Sequence, residues 1–342
     1  MTGKSAPASL SAFQAALSLL NHTYFDPIIG ALVRHGVPDH LDHGPLAASD
    51  LAQRAGVNAL ALTRVLRALA AFGTFQEVSP GIFANSPISD LFRNRPGGLY
   101  NFALYNSSDH HVRSAAALGH SVVTGQSATQ HAFAESFWEY ARRHPEFGET
   151  FNRALAELRG EEHQQVAAAY DWAGVNTVVD VGGGIGSLLA AIMAKHPELR
   201  GVLLEQPELL PEADRVLSER GIRDRCELLA GNFFDPMPAS GEVWTLSQIL
   251  HDWPDAQCLT ILRRCRESMR SADRLLVIEM LTVPCAPNVQ VGLIDMVMLM
   301  YFGEARQRTV DEYKHLFDST RFSLTRVLPT AGAFSIVEAS PV

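Results

Sequence analysis

The stretch TVVDVGGGIGS, residues 177–187, joins an apolar segment to an acidic residue and a run of glycines. The apolar segment is typical of a buried strand, and a helix is predicted to begin at Ser187. The glycines at 182, 183, 184 and 186 let a ligand approach the backbone closely where the helix presents its free N–H groups. The stretch therefore predicts a ligand site at a strand-to-helix turn.

Apolar segments alternate with helical segments after about residue 165. Continuous apolar strands separated by helices predict a mostly parallel sheet with both faces covered. The predicted strands lie in VNTVVDVGGG (175–184), RGVLLEQ (200–206), CELLAGNFF (226–234), VWTLSQIL (243–250) and RLLVIEML (274–281). The final segment, RFSLTRVLPTAGAFSIVEAS (321–340), has two strand-like runs around a short turn-rich link. It predicts an antiparallel hairpin at the edge of the sheet.

The first 165 residues favour helices, and the clearest signals for the ends of helices and for a turn lie in residues 50–92. A helix from Asp50 to Ala55 is predicted to end at Gly56, and Asn58 can cap a second helix that runs to about Phe72. A hairpin around Pro80-Gly81 follows. Two helices and a hairpin in this order are typical of a winged helix-turn-helix. The N-terminal residues 1–20 also favour a helix over a signal peptide.

Composition and charge argue against nucleic acid and membrane partners. The chain has 342 residues, of which 47% are hydrophobic, and this length suits two domains. Its net charge is -9, without a block of like charge, so we expect no binding to nucleic acid or to an anionic membrane. The second helix of the winged pattern offers only Arg64 and Arg67 for DNA, and we expect it to be buried instead. Without an apolar run long enough to span a bilayer, and with four unpaired cysteines, the sequence predicts a cytoplasmic protein.

Two further segments place polar residues at the same edge of the predicted sheet. Glu205 ends the second strand, where a carboxylate can bind both hydroxyls of a ribose. This much also fits a dinucleotide enzyme, although Ser187 stands where its glycine pattern needs glycine or alanine. LSQILHDWPD, residues 246–255, follows the fourth strand and contains His251. A histidine at the ligand edge is a candidate catalytic base.

These segments together resemble the plant caffeic acid O-methyltransferase-like enzymes and their bacterial relatives in antibiotic and pigment biosynthesis. The resemblance rests on D-V-G-G-G-x-G, Glu205, GNFFDPMP (231–238), L-H-D-W-P-D, Glu279 and QRTVDEY (307–313), which occur in the family's order. FWEYARRHPEFGETFNRAL (137–155) is similar to the helix before the family's catalytic domain. The resemblance covers nearly the whole chain.

The resemblance implies an α/β Rossmann-like class I methyltransferase domain and a mainly helical, winged-helix N-terminal domain that dimerises. On this basis the chain is divided into a dimerisation domain at 1–100, a helical linker at 101–165 that contributes to the substrate pocket, and a catalytic domain at 166–342. The implied cofactor is S-adenosylmethionine, which leaves as S-adenosylhomocysteine, and the implied assembly is a homodimer.

The resemblance also assigns roles to residues. His251 is the general base, and Asp252, Glu279 and Gln307 are placed with it in the catalytic group, Glu279 to orient the imidazole. The cofactor-binding residues are Asp180, Gly182, Gly184, Glu205, Asn232, Phe233 and Ser247. The residues expected to face the substrate are Phe137, Trp138, Asn152, Met298 and Phe302, although core packing is the ordinary role of such a methionine and aromatic stripe.

Two positions depart from the family pattern. Asn232 stands where the family commonly has aspartate, so we expect weaker cofactor binding. Gln307 stands where the family usually has a second glutamate, and an amide supplies no negative charge to a protonated imidazole. Three interpretations remain open: an unusually acidic substrate, a shifted loop that brings in Glu304, or a different reaction.

The sequence thus predicts an enzyme that transfers methyl to a phenolic or enolic hydroxyl of a small aromatic or polyketide-type metabolite. The alternative is a family member that binds the cofactor and catalyses C- or N-methylation, hydroxylation or pericyclic chemistry. A ligand-sensing winged-helix regulator is a third hypothesis. No metal is expected, because the spacing of His110, His111, His120 and His131 matches neither H-E-x-x-H nor a zinc finger, and no Cys pair could complete one.

Overall fold

The computed structural model describes residues 11–342, except for the side chains of residues 15, 18, 19 and 22. The described residues form two compact units, of which the first ends at Val112 and the second begins at Arg113. The helix predicted at the N-terminus is present as α1, Ala12–Asn21, and residues 1–10 of that prediction lie outside the described part. In the described part of the chain, no helix combines the length and the apolar character needed to cross a membrane.

The first unit is mainly helical and carries a small antiparallel sheet. Its strands are β1 (Leu46–Ala47), β2 (Phe75–Ser79) and β3 (Ile82–Asn85), in the order β1-β3-β2. Its further helices are α2 (Phe25–Arg34), α3 (Val37–His40), α4 (Ala48–Ala55), α5 (Ala59–Ala71), α6 (Pro87–Asp90) and α7 (Tyr100–Asn106), while α8 (Asp109–Ala116) runs across the boundary.

The two helices and the hairpin predicted in residues 50–92 are confirmed. Gly56 ends α4 with φ +67°, a left-handed conformation that glycine adopts without strain. The side chain of Asn58 caps α5 by accepting a hydrogen bond from the backbone N–H of Ala61 at 2.9 Å. Leu51, Leu66 and Phe83 are buried in the core that these elements share.

The first unit extends beyond the boundary predicted at residue 100. Helix α7 packs on α2, and a Cβ at Gly30 of α2 would lie 1.7 Å from the hydroxyl oxygen of Ser107. This close approach ties residues 100–107 to the first unit. The predicted boundary at residue 165 falls inside the continuous helix α12, Pro145–Ala169.

The second unit contains a seven-stranded sheet. Its strands are β4 (Thr177–Val181), β5 (Arg200–Glu205), β6 (Cys226–Ala230), β7 (Val243–Ser247), β8 (Arg274–Met280), β9 (Phe322–Pro329) and β10 (Phe334–Pro341). Its other helices are α9 (Leu118–Thr124), α10 (Ala128–Phe133), α11 (Phe137–Arg143), α13 (Ser187–Lys195), α14 (Leu210–Glu219), α15 (Asp255–Ser268), α16 (Val289–Phe302) and α17 (Val310–Asp318). Short 3-10 helices lie at His22–Tyr24, Arg223–Arg225 and Leu250–Asp252.

The strand order is β6-β5-β4-β7-β8-β10-β9, and only β10 runs antiparallel to its neighbours β8 and β9. The predicted parallel sheet and its C-terminal antiparallel hairpin are therefore confirmed. Alternate residues of β4 enter different cores: Val178 packs in the cluster on one face, and Val179 in the cluster on the other. Both faces are covered, which explains the nearly continuous apolar sequence of the strands.

The order reverses at β4, the first strand of the sheet, which lies between β5 and β7. Ligands of open α/β sheets bind at such a reversal, outside the carboxyl ends of the strands. Those ends carry the glycine run after Val181, Glu205 at the end of β5, and the Leu250–Asp252 helix after β7.

Candidate active site

The glycine run after β4 forms a tight turn. The N–H of Gly182 donates to the carbonyl oxygen of Leu204 at 2.8 Å, which continues the pairing of β4 with β5. Gly182 has φ +68°, and a Cβ there would lie 2.8 Å from Cδ1 of Ile249 and 3.2 Å from the ring of Phe233. Glycine is required at this position by both the backbone angle and the lack of space.

Glu205 lies directly beside this turn. Its carboxylate accepts hydrogen bonds from the N–H of Gly184 at 2.8 Å and from the N–H of Gln206 at 2.7 Å. Burial raises the pKa of Glu205, and these two donors oppose the rise. The carboxylate is thereby fixed at the carboxyl edge of the sheet, where the ribose role was predicted.

Asp180 is fully buried at the bottom of the turn. Its Oδ1 accepts a hydrogen bond from the Thr245 hydroxyl at 2.6 Å, and its Oδ2 has no partner among the described residues. A Cβ at Gly183 would lie 2.3 Å from this Oδ2. Burial raises the pKa of Asp180 to about 6. A buried carboxyl oxygen that contacts a glycine turn and lacks a donor fits a site for a polar ligand.

The other predicted cofactor residues lie around the same turn. The Phe233 ring lies close to Gly182, since a Cβ on that glycine would be 3.2 Å from the ring. Ser247 is half-buried at the end of β7. Asn232 is exposed, and its Oδ1 accepts the N–H of Phe234 at 3.0 Å. That oxygen closes a local turn and keeps a second lone pair for another donor.

His251 is buried in the 3-10 helix that follows β7, with only 3% of its surface exposed. Its Nδ1 lies 2.6 Å from Nε2 of Gln307, and its Nε2 lies 3.3 Å from Oδ1 of Asp252. Gln248 precedes this helix with φ +54°, which is uncommon for a residue with a side chain. Strained backbone of this kind often accompanies functional sites.

Glu279 lies near Nδ1 of His251, the ring nitrogen that also faces Gln307. Its Oε1 accepts the backbone N–H of His251 at 3.2 Å, and its Oε2 lies 3.6 Å from Nδ1 of His251. Oε2 has no hydrogen-bond partner among the described residues. The four residues assigned to the catalytic group are therefore brought together, although they come from three separate segments.

Burial favours the neutral forms of these groups. It lowers the pKa of His251 to about 3, with the charges of Arg159 and Arg308 acting in the same direction. It raises the pKa of Glu279 to about 8, and that of Asp252 also to about 8. The imidazole is therefore neutral at physiological pH and can accept a proton.

The segment that carries Gln307 is held by two further contacts. The N–H of Gln307 donates to Oδ1 of Asp295, on α16, at 2.7 Å. The guanidinium of Arg308, which is fully buried, donates to the carbonyl oxygens of Leu250 and Trp253, both at 2.7 Å. These bonds fix the Gln307 segment to the His251 helix.

The structure corrects one interpretation of the Gln307 departure. Glu304 is exposed, and no contact joins it to His251 among the described residues, so the loop does not bring a replacement carboxylate to the imidazole. Gln307 itself occupies the position, because the Arg308 and Asp295 contacts set the register of the segment. A half-turn of its amide would place the unpaired Oε1 on Nδ1, where it accepts that nitrogen's proton.

The residues expected to face the substrate form an aromatic cluster. Trp138 stacks on Phe302 with ring centroids 5.7 Å apart, and Phe137 is fully buried with its ring 5.7 Å from Phe302. Met298 is buried on α16, and Asn152 is half-buried on α12. Phe137 therefore packs at the centre of the cluster, and its direct role toward a substrate stays a prediction.

Sequence reasoning missed several residues of the site. Thr245 donates to Asp180, Asp295 accepts from Gln307, and Arg308 donates to the His251 helix. Of these three, only Arg308 has a signal in the sequence, because it lies in the QRTVDEY segment. Arg159 on α12 acts electrostatically on His251, and nothing in the sequence distinguishes it from Arg153 on the same helix. Among the described residues, no group of three or more potential ligands is arranged to hold a metal ion.

A mostly parallel sheet of this strand order, with a glycine turn after its first strand and a C-terminal antiparallel hairpin, is the fold of Rossmann-like methyltransferases. Comparison with known families agrees: residues 116–323 match an O-methyltransferase domain, and residues 17–95 match an O-methyltransferase dimerisation domain. The chain belongs to this O-methyltransferase family, whose members are enzymes that use S-adenosylmethionine.

Individual relatives come from bacterial specialised metabolism. The chain is 40% identical to a phenazine O-methyltransferase, PhzM, of Lysobacter antibioticus, over 90% of each chain. It is 38% identical to a mitomycin biosynthesis 6-O-methyltransferase of Streptomyces lavendulae, over 91% of this chain and 89% of that one. Among solved structures, LaPhzM superposes with a TM-score of 0.93 at 36% identity, covering 97% of this chain and 100% of that one.

The residues of this chain fit the family's cofactor. The neocarzinostatin enzyme NcsB1, similar in structure with a TM-score of 0.83 at 30% identity over 98% of this chain and 100% of that one, was crystallised with S-adenosylmethionine. In this chain the unpaired Asp180 Oδ2 suits a cationic amino group, and Glu205 suits a pair of ribose hydroxyls. The glycines of the turn leave the backbone open to the ligand.

Proposed function

We propose that this enzyme methylates an acidic hydroxyl of a small aromatic metabolite and that His251 is the general base. The observation that supports this most strongly is the buried, neutral imidazole of His251, held by Gln307 at 2.6 Å and by Glu279 at the carboxyl edge of the sheet. A base at this edge lies on the side of the sheet where the ligands of such folds bind.

Cofactor binding is assigned to the residues around the glycine turn. Asp180 binds the amino group of the methionine part, and Glu205 binds the ribose hydroxyls. Gly182 and Gly184 shape the turn, and Asn232, Phe233 and Ser247 complete the site. When bound, S-adenosylmethionine supplies an electrophilic methyl group on its sulfonium, which the acceptor oxygen takes while the C–S bond breaks.

The base acts on the acceptor. A phenol with a pKa of about 10 is a poor nucleophile at neutral pH, and removal of its proton makes the oxygen reactive. Nε2 of His251 takes that proton if Nδ1 carries the other one, and the Gln307 carbonyl or the carbonyl oxygen of the Glu279 carboxyl group then accepts from Nδ1. Asp252 lies on the Nε2 side and completes the polar wall of the site.

The acceptor and the assembly are proposed from the relatives and from the aromatic cluster. Phe137, Trp138, Asn152, Met298 and Phe302 would line the pocket, and flat rings such as phenazines, naphthoates or hydroxybenzoates suit stacking on Trp138. The dimerisation domain supports a homodimer in which α5 is buried by protein rather than by DNA. A cytoplasmic location in specialised metabolism agrees with this proposal.

The test measures S-adenosylhomocysteine release from purified enzyme with S-adenosylmethionine and a panel of phenols and hydroxyquinones. His251→Ala is expected to lower turnover by about 10²- to 10⁴-fold and to leave S-adenosylhomocysteine affinity nearly unchanged. His315→Ala, at an exposed position on α17, serves as the matched control and is expected to behave like the wild type. Undiminished turnover by His251→Ala would contradict the assignment of the base.

A nitrogen acceptor is the second candidate. Two relatives are N-methyltransferases: the 8-amino-8-demethylriboflavin enzyme of Streptomyces davaonensis at 27% identity and the phenazine-1-carboxylate enzyme of Pseudomonas aeruginosa at 28%. An amine acceptor needs no strong base before transfer. N-methylation would therefore appear as product formation that survives His251→Ala, with the new methyl on nitrogen by NMR.

A further inference from the structure

Arg159 lies on the long helix α12, in line with two other side chains of that helix. Asn152, two helical turns before it, and His163, one turn after it, share its face of the helix, and all three are at least half-buried. Arg153 and Gly160 lie elsewhere on the helix and are exposed. Asn152 was expected to face the substrate, so Arg159 projects from the helix face assigned to the pocket.

The positive charge of Arg159 acts on residues of the catalytic group. Its guanidinium interacts electrostatically with Asp252 and Glu279, and also with Glu162 on its own helix. Within residues 11–342, Arg159 is part of no hydrogen bond and no ion pair. Arg308, in contrast, donates hydrogen bonds to the carbonyl oxygens of Leu250 and Trp253 and to the carboxylate of Asp255. The guanidinium N–H groups of Arg159 are therefore available to hydrogen-bond a ligand of this site.

The carboxyl groups around Arg159 do not neutralise it fully. Burial raises the pKa of Glu279, of Asp252 and of Glu162, so each tends toward its uncharged form. Glu162 is further occupied by the side-chain N–H of Gln290, at 3.3 Å. With Gln307 in place of a carboxylate, the site carries a positive charge whose best partner is an anion from outside.

We propose that Arg159 binds an anionic oxygen of the acceptor, so that the enzyme selects aromatic hydroxy compounds that are negatively charged at the reaction site. The inference rests on the proposed function, since it names the acceptor class of that site. A planar guanidinium binds a carboxylate or a phenolate through charge-assisted hydrogen bonds. It also stabilises the negative charge that develops on the acceptor oxygen as His251 takes its proton.

The negative oxygen can be the ionised hydroxyl itself or a carboxylate next to it. Calorimetric titration of the enzyme saturated with S-adenosylhomocysteine distinguishes the two, using 1-hydroxy-2-naphthoate, its methyl ester and 1-naphthol. Affinity that favours the carboxylate over the ester at constant pH identifies a carboxylate. Affinity of the ester and the naphthol that rises with pH through the pKa of their hydroxyl identifies the phenolate.

Arg159→Gln is expected to weaken binding of the anionic form by about 10- to 100-fold and to leave the neutral form within about 2-fold. Arg159→Lys keeps the charge and loses the planar pair of donors, so it is expected to recover part of the loss. Arg153→Gln removes an exposed arginine of the same helix that pairs with Glu149, and it is expected to change nothing.

Arg159→Gln that binds anionic and neutral compounds as the wild type does would overturn the proposal, provided that its S-adenosylhomocysteine affinity and melting temperature are normal. If the glutamine variant does not fold, the carboxylate-to-ester ratio of Arg159→Met, which also removes the charge, decides instead, and an unchanged ratio and pH dependence overturn the proposal. Because binding is measured without turnover, absence of S-adenosylhomocysteine release by the wild type would refute methylation of these acceptors while leaving the Arg159 result interpretable.

Discussion

Nδ1 of His251 lies 2.6 Å from the side-chain nitrogen of Gln307 and 3.6 Å from Oε2 of Glu279. The nearer partner of the imidazole is therefore a neutral amide, and the carboxyl group is the more distant one. A neutral partner orients the ring as a carboxylate would, but it adds no charge to stabilise an imidazolium. Because Gln307 adds no such charge, His251 is a weaker base than it would be beside a carboxylate, and its acceptor needs a more acidic hydroxyl.

Gln307→Glu is expected to raise the pKa of His251, because a carboxylate on Nδ1 favours the protonated ring. Burial holds the pKa of the wild-type ring near 3, so its base form persists far below pH 6.5. In the variant the acid limb of kcat/KM should move upward by about 1 to 3 pH units. Turnover of weakly acidic phenols should increase at the same time.

The pH profile is measured from pH 3, near the pKa of the wild-type ring, to pH 9 with an acceptor whose hydroxyl ionises above that range, so that the acid limb reports the enzyme. Gln307→Met, which removes both the charge and the polar atoms, is the matched variant and should lower kcat without raising the limb. An acid limb that is identical in the wild type and Gln307→Glu would show that the residue does not act on the imidazole.

Asp295→Ala is expected to lower kcat by about 10-fold while the KM for S-adenosylmethionine stays within about 2-fold. The carboxylate accepts the backbone N–H of Gln307 at 2.7 Å, and its loss frees the segment that orients His251. Asp295→Asn keeps an oxygen acceptor, so it should retain most activity. Equal damage from both variants would indicate that charge, rather than the hydrogen bond, is what the position supplies.

Gly182→Ala is expected to lower S-adenosylhomocysteine affinity by about 100-fold, with Gly221→Ala as its control. Both glycines have φ +68°, so a side chain costs each about 1–2 kcal/mol of backbone strain. A Cβ at Gly182 would also lie 2.8 Å from Ile249, whereas one at Gly221 would have nothing within 4 Å. Titration and thermal melting should therefore show lost binding in the first and only lost stability in the second.

Asn232→Asp is expected to tighten S-adenosylmethionine binding by about 3- to 10-fold, because a carboxylate accepts hydrogen bonds more strongly than an amide. The variant can still accept the N–H of Phe234, so the local turn should persist. Asp235→Asn, at a neighbouring exposed position, should leave the affinity unchanged. Weaker binding by Asn232→Asp would mean that the side chain meets the cofactor as a donor.

Local patterns predicted the elements of the fold with few errors. Gly56 and Asn58 fixed the end of α4 and the start of α5, since a left-handed residue and a capping side chain act within one helical turn. The apolar strands and the C-terminal hairpin followed from periodicity. The end of the first unit did not follow, because the packing of α7 on α2 joins segments far apart in the chain.

The sequence by itself determined the glycine turn, Glu205 and His251, because each lies at a strand end that local pattern identifies, and parallel strands bring their carboxyl ends to one edge. Only the tertiary structure decided what surrounds the base. Gln307 rather than Glu304 reaches Nδ1 because Asp295 and Arg308 set the register of a distant segment. Arg159 acts electrostatically on Asp252 and Glu279 from a distant segment, and the electrostatics of a buried group depend on neighbours that sequence distance does not reveal.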